Sequence, residues 1–234
     1  VLLGLDGAGL ALRDAAGAVR WIGHGEAGRL GAFIGARRNA MVEVVVADDV
    51  AVHWVQRPPA GAQGLHELRA VAAARCAHLF GGTPADWWVA GDWQAVRPFV
   101  CAAVPRALAQ PVRRQLEAAG LRSDWQSAWA RLCNRRAREI PAQGWSACRG
   151  PGRVTLWSCA GGRVTSVQSF AVPRDADPGH VEARVAERQT LEALNDGAIA
   201  PAPVHWLTPS AWQGMATEAE AALQAAQPAG AAAR

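Results

Sequence analysis

The 234-residue chain contains no lysine and no tyrosine. All 24 of its basic residues are therefore arginine, set against 20 acidic ones for a formal net charge of +4. Without lysine there is no Walker A loop, no kinase strand lysine, and no Schiff-base amine for aldolase or pyridoxal chemistry. Without tyrosine, a phenolic acid or nucleophile is excluded as well. No apolar run approaches the roughly 20 residues that cross a bilayer as a helix. The opening VLLGLDG is too short and too glycine-broken for the apolar part of a secretory leader, and no basic segment precedes it. The cysteines (Cys76, Cys101, Cys133, Cys148, Cys159) are odd in number and form no C-x-x-C pair. Neither a disulfide framework nor a zinc ribbon follows, and a reducing cytoplasm is the expected setting. His66-Glu67 lacks the second histidine of a zinc-binding H-E-x-x-H, so no metal site is expected. No G-x-S-x-G elbow is present to support a hydrolase.

What is present is half apolar and only 19% charged, with 11 tryptophans, which is the composition of a soluble globular protein. The length allows two lobes of roughly 100 residues each. Short apolar runs broken by Asp6-Gly7 and by the turn around Asp14 to Gly17 predict three antiparallel strands from Leu2 to Gly25. A helix follows over Glu26 to Arg38, with Leu30, Phe33 and Ile34 on one face. Val42–Val46 and Val50–Trp54 then read as the two arms of a hairpin around Asp48-Asp49. Gln63 to Phe80 is helical up to the Gly81-Gly82 stop, Trp87–Ala90 and Phe99–Val104 are strands, and Pro105 opens a helix closed by Gly120.

The order then returns in outline. Leu121–Trp125 is extended and Ser127–Arg138 helical. Three strands over Trp145–Arg149, Val154–Cys159 and Val164–Val172 are joined by glycine turns. A charged helix over Pro178–Asn195, a strand at Val204–Leu207 and an Ala-rich helix from about Met215 complete the chain. The expected domains are a first lobe over 1–120, a second over 121–213, and an Ala-rich tail over 214–234. Arg131, Arg135 and Arg138, at i, i+4 and i+7, would share one helix face that meets acidic lipid or an acidic partner. The modest net charge, with no aromatics interleaved in that stripe, argues against nucleic acid.

The stretches VEVVVADDVAVHWVQRP, HLFGGTPADWWV and FVCAAVPRALAQPVRRQLEAAGLRSDWQSAWARLCNRR resemble the actin-like proteins of type IV pilus and type II secretion assembly, of the PilM and GspL types. Val104-Pro105-Arg106, Leu116 and Gly120-Leu121 match their recurring strand-to-helix piece, and the likeness runs from about Leu2 to Leu207. The resemblance implies an α/β, two-lobed actin-like (ribonuclease H-like) fold with a mixed sheet and helices in each lobe. It implies a cytoplasmic scaffold beneath the inner membrane that binds PilN-like or GspM/GspE-like components of an assembly platform.

Relatives of this superfamily that use ATP grip its phosphates with two glycine-bearing hairpins, each opening with a carboxylate that organises magnesium. The first here would be Gly4-Leu5-Asp6-Gly7-Ala8-Gly9, with Asp6, Gly7 and Gly9 against the phosphates; a plain Asp-Gly turn reads the same way. The second is Ala147-Cys148-Arg149-Gly150-Pro151-Gly152-Arg153, which keeps Gly150 and Gly152 but has arginines where a carboxylate is needed. The expectation is a degenerate ATP site, no catalytic residues and no obligatory cofactor.

An active actin-like ATPase is one alternative, and a Rossmann NAD(P) enzyme is another. Gly23-His24-Gly25-Glu26-Ala27-Gly28 fits G-x-G-x-x-G, with Asp48-Asp49 about where a ribose-binding acid belongs. Glu26 would set a negative charge beside the pyrophosphate, and the hairpin reading of Asp48-Asp49 argues against the end of a parallel strand.

Overall fold

The computed structural model describes residues 2–5, 9–13, 19–23, 30, 41–62, 64–150, 152–196 and 200–207. Strands β1 (Leu2–Leu5), β2 (Gly9–Arg13) and β3 (Val19–Gly23) form the expected antiparallel meander. β4 (Met41–Val46) then runs parallel to β1, with Leu3 opposite Val44. On its other side β4 pairs in parallel with β8 (Arg122–Ser127), Val44 opposite Trp125, so this sheet has the order β3-β2-β1-β4-β8.

The expected hairpin over Val42–Trp54 does not form. β4 lies in the first sheet, whereas β5 (Val52–Gln56) lies in a second sheet of order β5-β7-β6, with β6 at Trp87–Gly91 and β7 at Phe99–Pro105. The reason is in the composition of β4. Val42, Val44, Val45 and Val46 are all buried, which suits a central parallel strand covered on both faces and not a hairpin arm with one wet face. The Asp48-Asp49 turn carries the chain out of one sheet into the other. Its start is tied back where Ala47 donates its N–H to the Leu5 carbonyl at 2.8 Å.

Helix α1 (Leu65–Phe80) covers the second sheet, burying Leu68, Ala72 and Cys76 against Trp54, Phe99, Cys101 and Ala103. Helix α2 (Arg106–Ala118) packs on the first sheet, where Ala109, Val112 and Leu116 meet Leu3, Leu5, Val42 and Val44. Gly120 ends α2 with φ +70°. It donates to the Glu117 carbonyl while Leu121 donates to that of Leu116, both at 2.9 Å, which is the Schellman arrangement. The chain then enters β8. A lobe boundary at residue 120 puts this strand in the second lobe, but it closes the first sheet. β4 offers it a full parallel ladder, and Trp125 packs edge-on against Trp88 at 4.9 Å.

After α3 (Ala128–Arg135) come β9 (Gly144–Gly150), β10 (Arg153–Ala160) and β11 (Arg163–Ala171), a second antiparallel meander. Helix α4 (Pro178–Asp196) packs Val181 and Val185 onto Trp145, Leu156 and Phe170. β12 (Val204–Leu207) joins parallel to β9, and the order is β11-β10-β9-β12. In both this sheet and the first, a meander is followed by a strand parallel to the meander's first strand. The element order read twice along the sequence is thus matched by the same strand order twice. Of the helix expected over 26–38, only Leu30 is described, buried in the first core. The Ala-rich segment from Met215 lies outside the described residues.

Candidate functional site

Of the residues expected to cradle phosphate, Asp6 and Gly7 lie outside the described residues, while Gly9 opens β2, its Cα opposite that of Gly23 on β3. The second hairpin is the β9–β10 turn. Gly152 adopts φ +71°, and a Cβ there would lie 3.6 Å from Cγ of Arg174. Arg149 donates to the carbonyls of Arg174 and Ala176, and Arg153 donates to that of Asp49 at 3.1 Å. The guanidinium groups thus fasten this turn to neighbouring backbone. From Ala147 to Arg153 the hairpin itself offers no carboxylate to organise magnesium.

A carboxylate that meets β10 was read from sequence as a turn residue. Asp48 accepts the N–H of Trp129, at the start of α3, at 3.1 Å and faces the Thr155 hydroxyl of β10 at 3.5 Å. Burial pushes its pKa up to about 7, outweighing the hydrogen bonds that favour the charge. Beside it His53 and Ser127 stand at hydrogen-bond distance, Nε2 to Oγ 2.8 Å. The Ser127 oxygen also accepts the Ala130 N–H as the helix cap, and Nδ1 of His53 has no hydrogen-bond partner among the described residues. Both side chains are buried, and burial followed by the charge of Arg153 lowers the His53 pKa to about 3. The buried pair links the second sheet, through His53 of β5, to the first, through Ser127 of β8.

The dinucleotide reading loses its frame. Gly23 ends β3, an antiparallel edge strand, whereas that motif needs a parallel strand running into a helix. Gly25 and Gly28 lie outside the described residues. Asp48 does follow a parallel strand, contrary to the hairpin expectation, but its carboxyl is engaged by Trp129 and Thr155. Among the described residues no group of three or more metal-ligating side chains is present.

The arginine stripe does not form a shared surface. Arg131 is 7% exposed and grips Glu43 of β4 with Nε and Nη2, the latter at 3.1 Å from Oε2. The hydrogen bond from Arg131 holds the Glu43 carboxyl below its ordinary pKa. Arg135 ends the helix, and Arg138 falls in the turn beyond it, so i+7 spacing no longer places it on the same face. The amphipathic period of α3 turns Arg131 inward with Leu132 because an acid on β4 waits there.

Among the described residues an accessible cationic surface lies elsewhere, and it was not singled out from the sequence. A cavity of about 300 Å³ is lined by Trp88 of β6 and by Arg106, Gln110, Arg113, Arg114 and Glu117 of α2. These helix residues occupy the face left over when Ala109, Val112 and Leu116 are buried. Arg106 donates Nε to the Ala85 carbonyl and Nη2 to that of Trp87, pinning the start of α2 to the start of β6. The Arg113 guanidinium lies 5.3 Å from the centre of the Trp88 ring and pairs with Glu117 at 2.7 Å. Arg114 is exposed and has no hydrogen bond or ion pair among the described residues. The available signal was the polar spacing 106, 110, 113, 117 on a helix that follows the Trp87-Trp88 pair.

No protein family and no curated protein matches the chain by sequence. Solved structures do match it. The cytoplasmic domain of EpsL, an inner-membrane component of the type II secretion system of Vibrio cholerae, aligns with 89% of this chain and 81% of its own, at TM-score 0.52 and 14% identity. A chain of the PilM–PilN type IV pilus biogenesis complex aligns with 95% of this chain and 85% of its own, at TM-score 0.56 and 15% identity. A Bacteroides thetaiotaomicron protein of actin-like ATPase fold and unknown function aligns with 88% and 90%, at TM-score 0.48 and 8% identity. The two related sheets, each a meander continued by a parallel strand, and the alignments with EpsL and with the PilM–PilN chain give this chain the α/β fold of those two structures, the actin-like fold that the resemblance implied.

Proposed function

We propose that the chain is a non-catalytic cytoplasmic scaffold at the inner membrane of a bacterium, serving the assembly platform of a type IV pilus or type II secretion system. The observation that carries this is the groove between α2 and β6, set on a fold shared over most of its length with a PilM–PilN chain and with EpsL. Its occupant is a cytoplasmic tail of a PilN-like or GspM/GspE-like component. The Trp88 ring forms an aromatic wall, and three arginines against one glutamate give the groove a net positive charge.

The nucleotide cleft is degenerate in this reading. Arg149 and Arg153 take the place of a metal-organising carboxylate, and their guanidinium groups already bind backbone carbonyls. The lobes are taken as the first and third sheets with their helices, and the second sheet as an addition between β4 and α2.

Calorimetric titration of the protein with ATP plus magnesium, and separately with NAD(P), tests the non-catalytic half. The expected result is no magnesium-dependent ATP binding, no hydrolysis and no NAD(P) binding. Tight magnesium-dependent binding that disappears in Asp6→Ala would instead establish an active actin-like ATPase.

A further inference from the structure

The second sheet ends at β6, and the groove meets that strand at Trp88. Asp92 donates to the Val100 carbonyl at 3.0 Å, and antiparallel pairing then steps by two, so Ala90 and Trp88 turn their backbone groups toward β7. Trp87, Val89 and Gly91 turn theirs outward. The outward carbonyl of Trp87 is taken by Arg106, while no backbone hydrogen bond engages the outer side of Val89 or Gly91 among the described residues.

This edge also lacks the usual protections. The strand reads Trp-Trp-Val-Ala-Gly, with no proline and no charge to discourage pairing. Helix α2 lines the cavity that begins at Trp88 of this strand. The charge on that flank is one-sided, because Arg113 is matched by Glu117 whereas Arg114 is unmatched. A second copy of the chain pairing through β6 would bring its own arginine-lined α2 against this one, like charge to like.

We propose that an extended acidic segment of a partner protein adds to the outer edge of β6 as a fourth strand, hydrogen-bonded to Val89 and Gly91, with its carboxylates against Arg113 and Arg114. Main-chain pairing supplies the affinity and the arginines supply the choice of partner. The inference rests on the reading of the groove as a partner site and deepens it by naming the partner's conformation and charge.

The test uses the whole chain and three synthetic peptides of about eight residues, a length matched to a typical strand. One alternates valine and glutamate, one is the same peptide N-methylated at alternate amides, and one alternates valine and lysine. Binding is followed by calorimetry and by amide hydrogen exchange. The valine–glutamate peptide is expected to bind and to slow exchange at Val89 and Gly91. N-methylation, which removes the pairing donors, is expected to weaken binding by about tenfold or more. The lysine peptide should not bind, and Arg114→Glu, at an exposed position, should weaken the acidic peptide about tenfold. Val89→Pro, which removes an outward N–H and leaves the β7 ladder intact, gives a second variant with the same expectation.

Equal affinity for the N-methylated peptide overturns strand addition, as does an absence of binding by the valine–glutamate peptide. Slow exchange at Val89 and Gly91 in a peptide-free dimer overturns it too, by making a second copy the occupant. If a PilN-like tail binds in a manner sensitive to Trp88→Ala while these peptides do not, strand addition fails and the scaffold reading stands. If neither binds, both fail.

Discussion

Asp48 shows how little a residue's neighbours in sequence say about its environment. As part of Asp48-Asp49 it is turn chemistry, and that much was legible. Its partners Trp129 and Thr155 lie 81 and 107 positions away, so its burial is a product of three converging segments. With a folded pKa raised to about 7 from an ordinary 3.8, Asp48 binds a proton in the folded chain that the unfolded chain has released between those values. Its contribution therefore favours folding below about pH 4 and is lost as pH rises toward 7. Asp48→Asn keeps an acceptor for Trp129 and carries no charge. It is expected to be more stable than the parent at pH 8 by about 1–3 kcal/mol and close to it at pH 4, as read by urea unfolding at both pH values. Glu43 behaves in the opposite sense. Its lowered pKa adds stability that is present at neutral pH and lost as acid protonates it. Arg131→Met takes the guanidinium from that carboxylate and leaves it the Gln126 amide, at 2.8 Å, as its hydrogen-bond donor. It should cost about 2–4 kcal/mol at pH 7, with a smaller loss at pH 3, by the same unfolding measurement.

At the scale of elements, punctuation was the legible part. Both meanders, the helices over Leu65–Phe80, Arg106–Ala118 and Pro178–Asp196, and the strand at Val204–Leu207 follow from period, proline and glycine. Gly120 was placed correctly as the end of α2, and its φ of +70° is the physical reason. Gly120→Ala is expected to cost about 1 kcal/mol through that left-handed conformation, lowering the thermal midpoint in calorimetry. Partnering was not legible. The valine run of β4 suits either a hairpin arm or a central parallel strand by length and β propensity, and the parallel pairing on both sides, with Val42, Val44, Val45 and Val46 buried, decides it. The same limit hid the groove. Arg106, Arg113 and Arg114 look like a solvated helix face until β6 is found beside them, with Trp88 as the wall. The stripe Arg131, Arg135, Arg138 looked more like a surface and is not one, because Glu43 draws Arg131 inward.

For the whole molecule, the repeated order of meander and parallel strand was visible as element order, although no residue-level repeat accompanies it. What sequence could not place was the second sheet, inserted between β4 and α2, whose free strand β6 makes one side of the groove. That the second hairpin, Ala147 to Arg153, contains no carboxylate is read from composition alone. The structure adds that its two arginines are occupied with backbone. The account thus moves the working surface from a cleft between lobes to a groove beside one sheet. The most direct measurement is calorimetric titration of the cytoplasmic tail of a PilN-like platform protein into the parent chain and into Trp88→Ala. The account predicts saturable binding to the parent without added nucleotide, weakened about tenfold or more when the ring is removed. Binding that is unchanged in Trp88→Ala, or that requires ATP and magnesium, would contradict it.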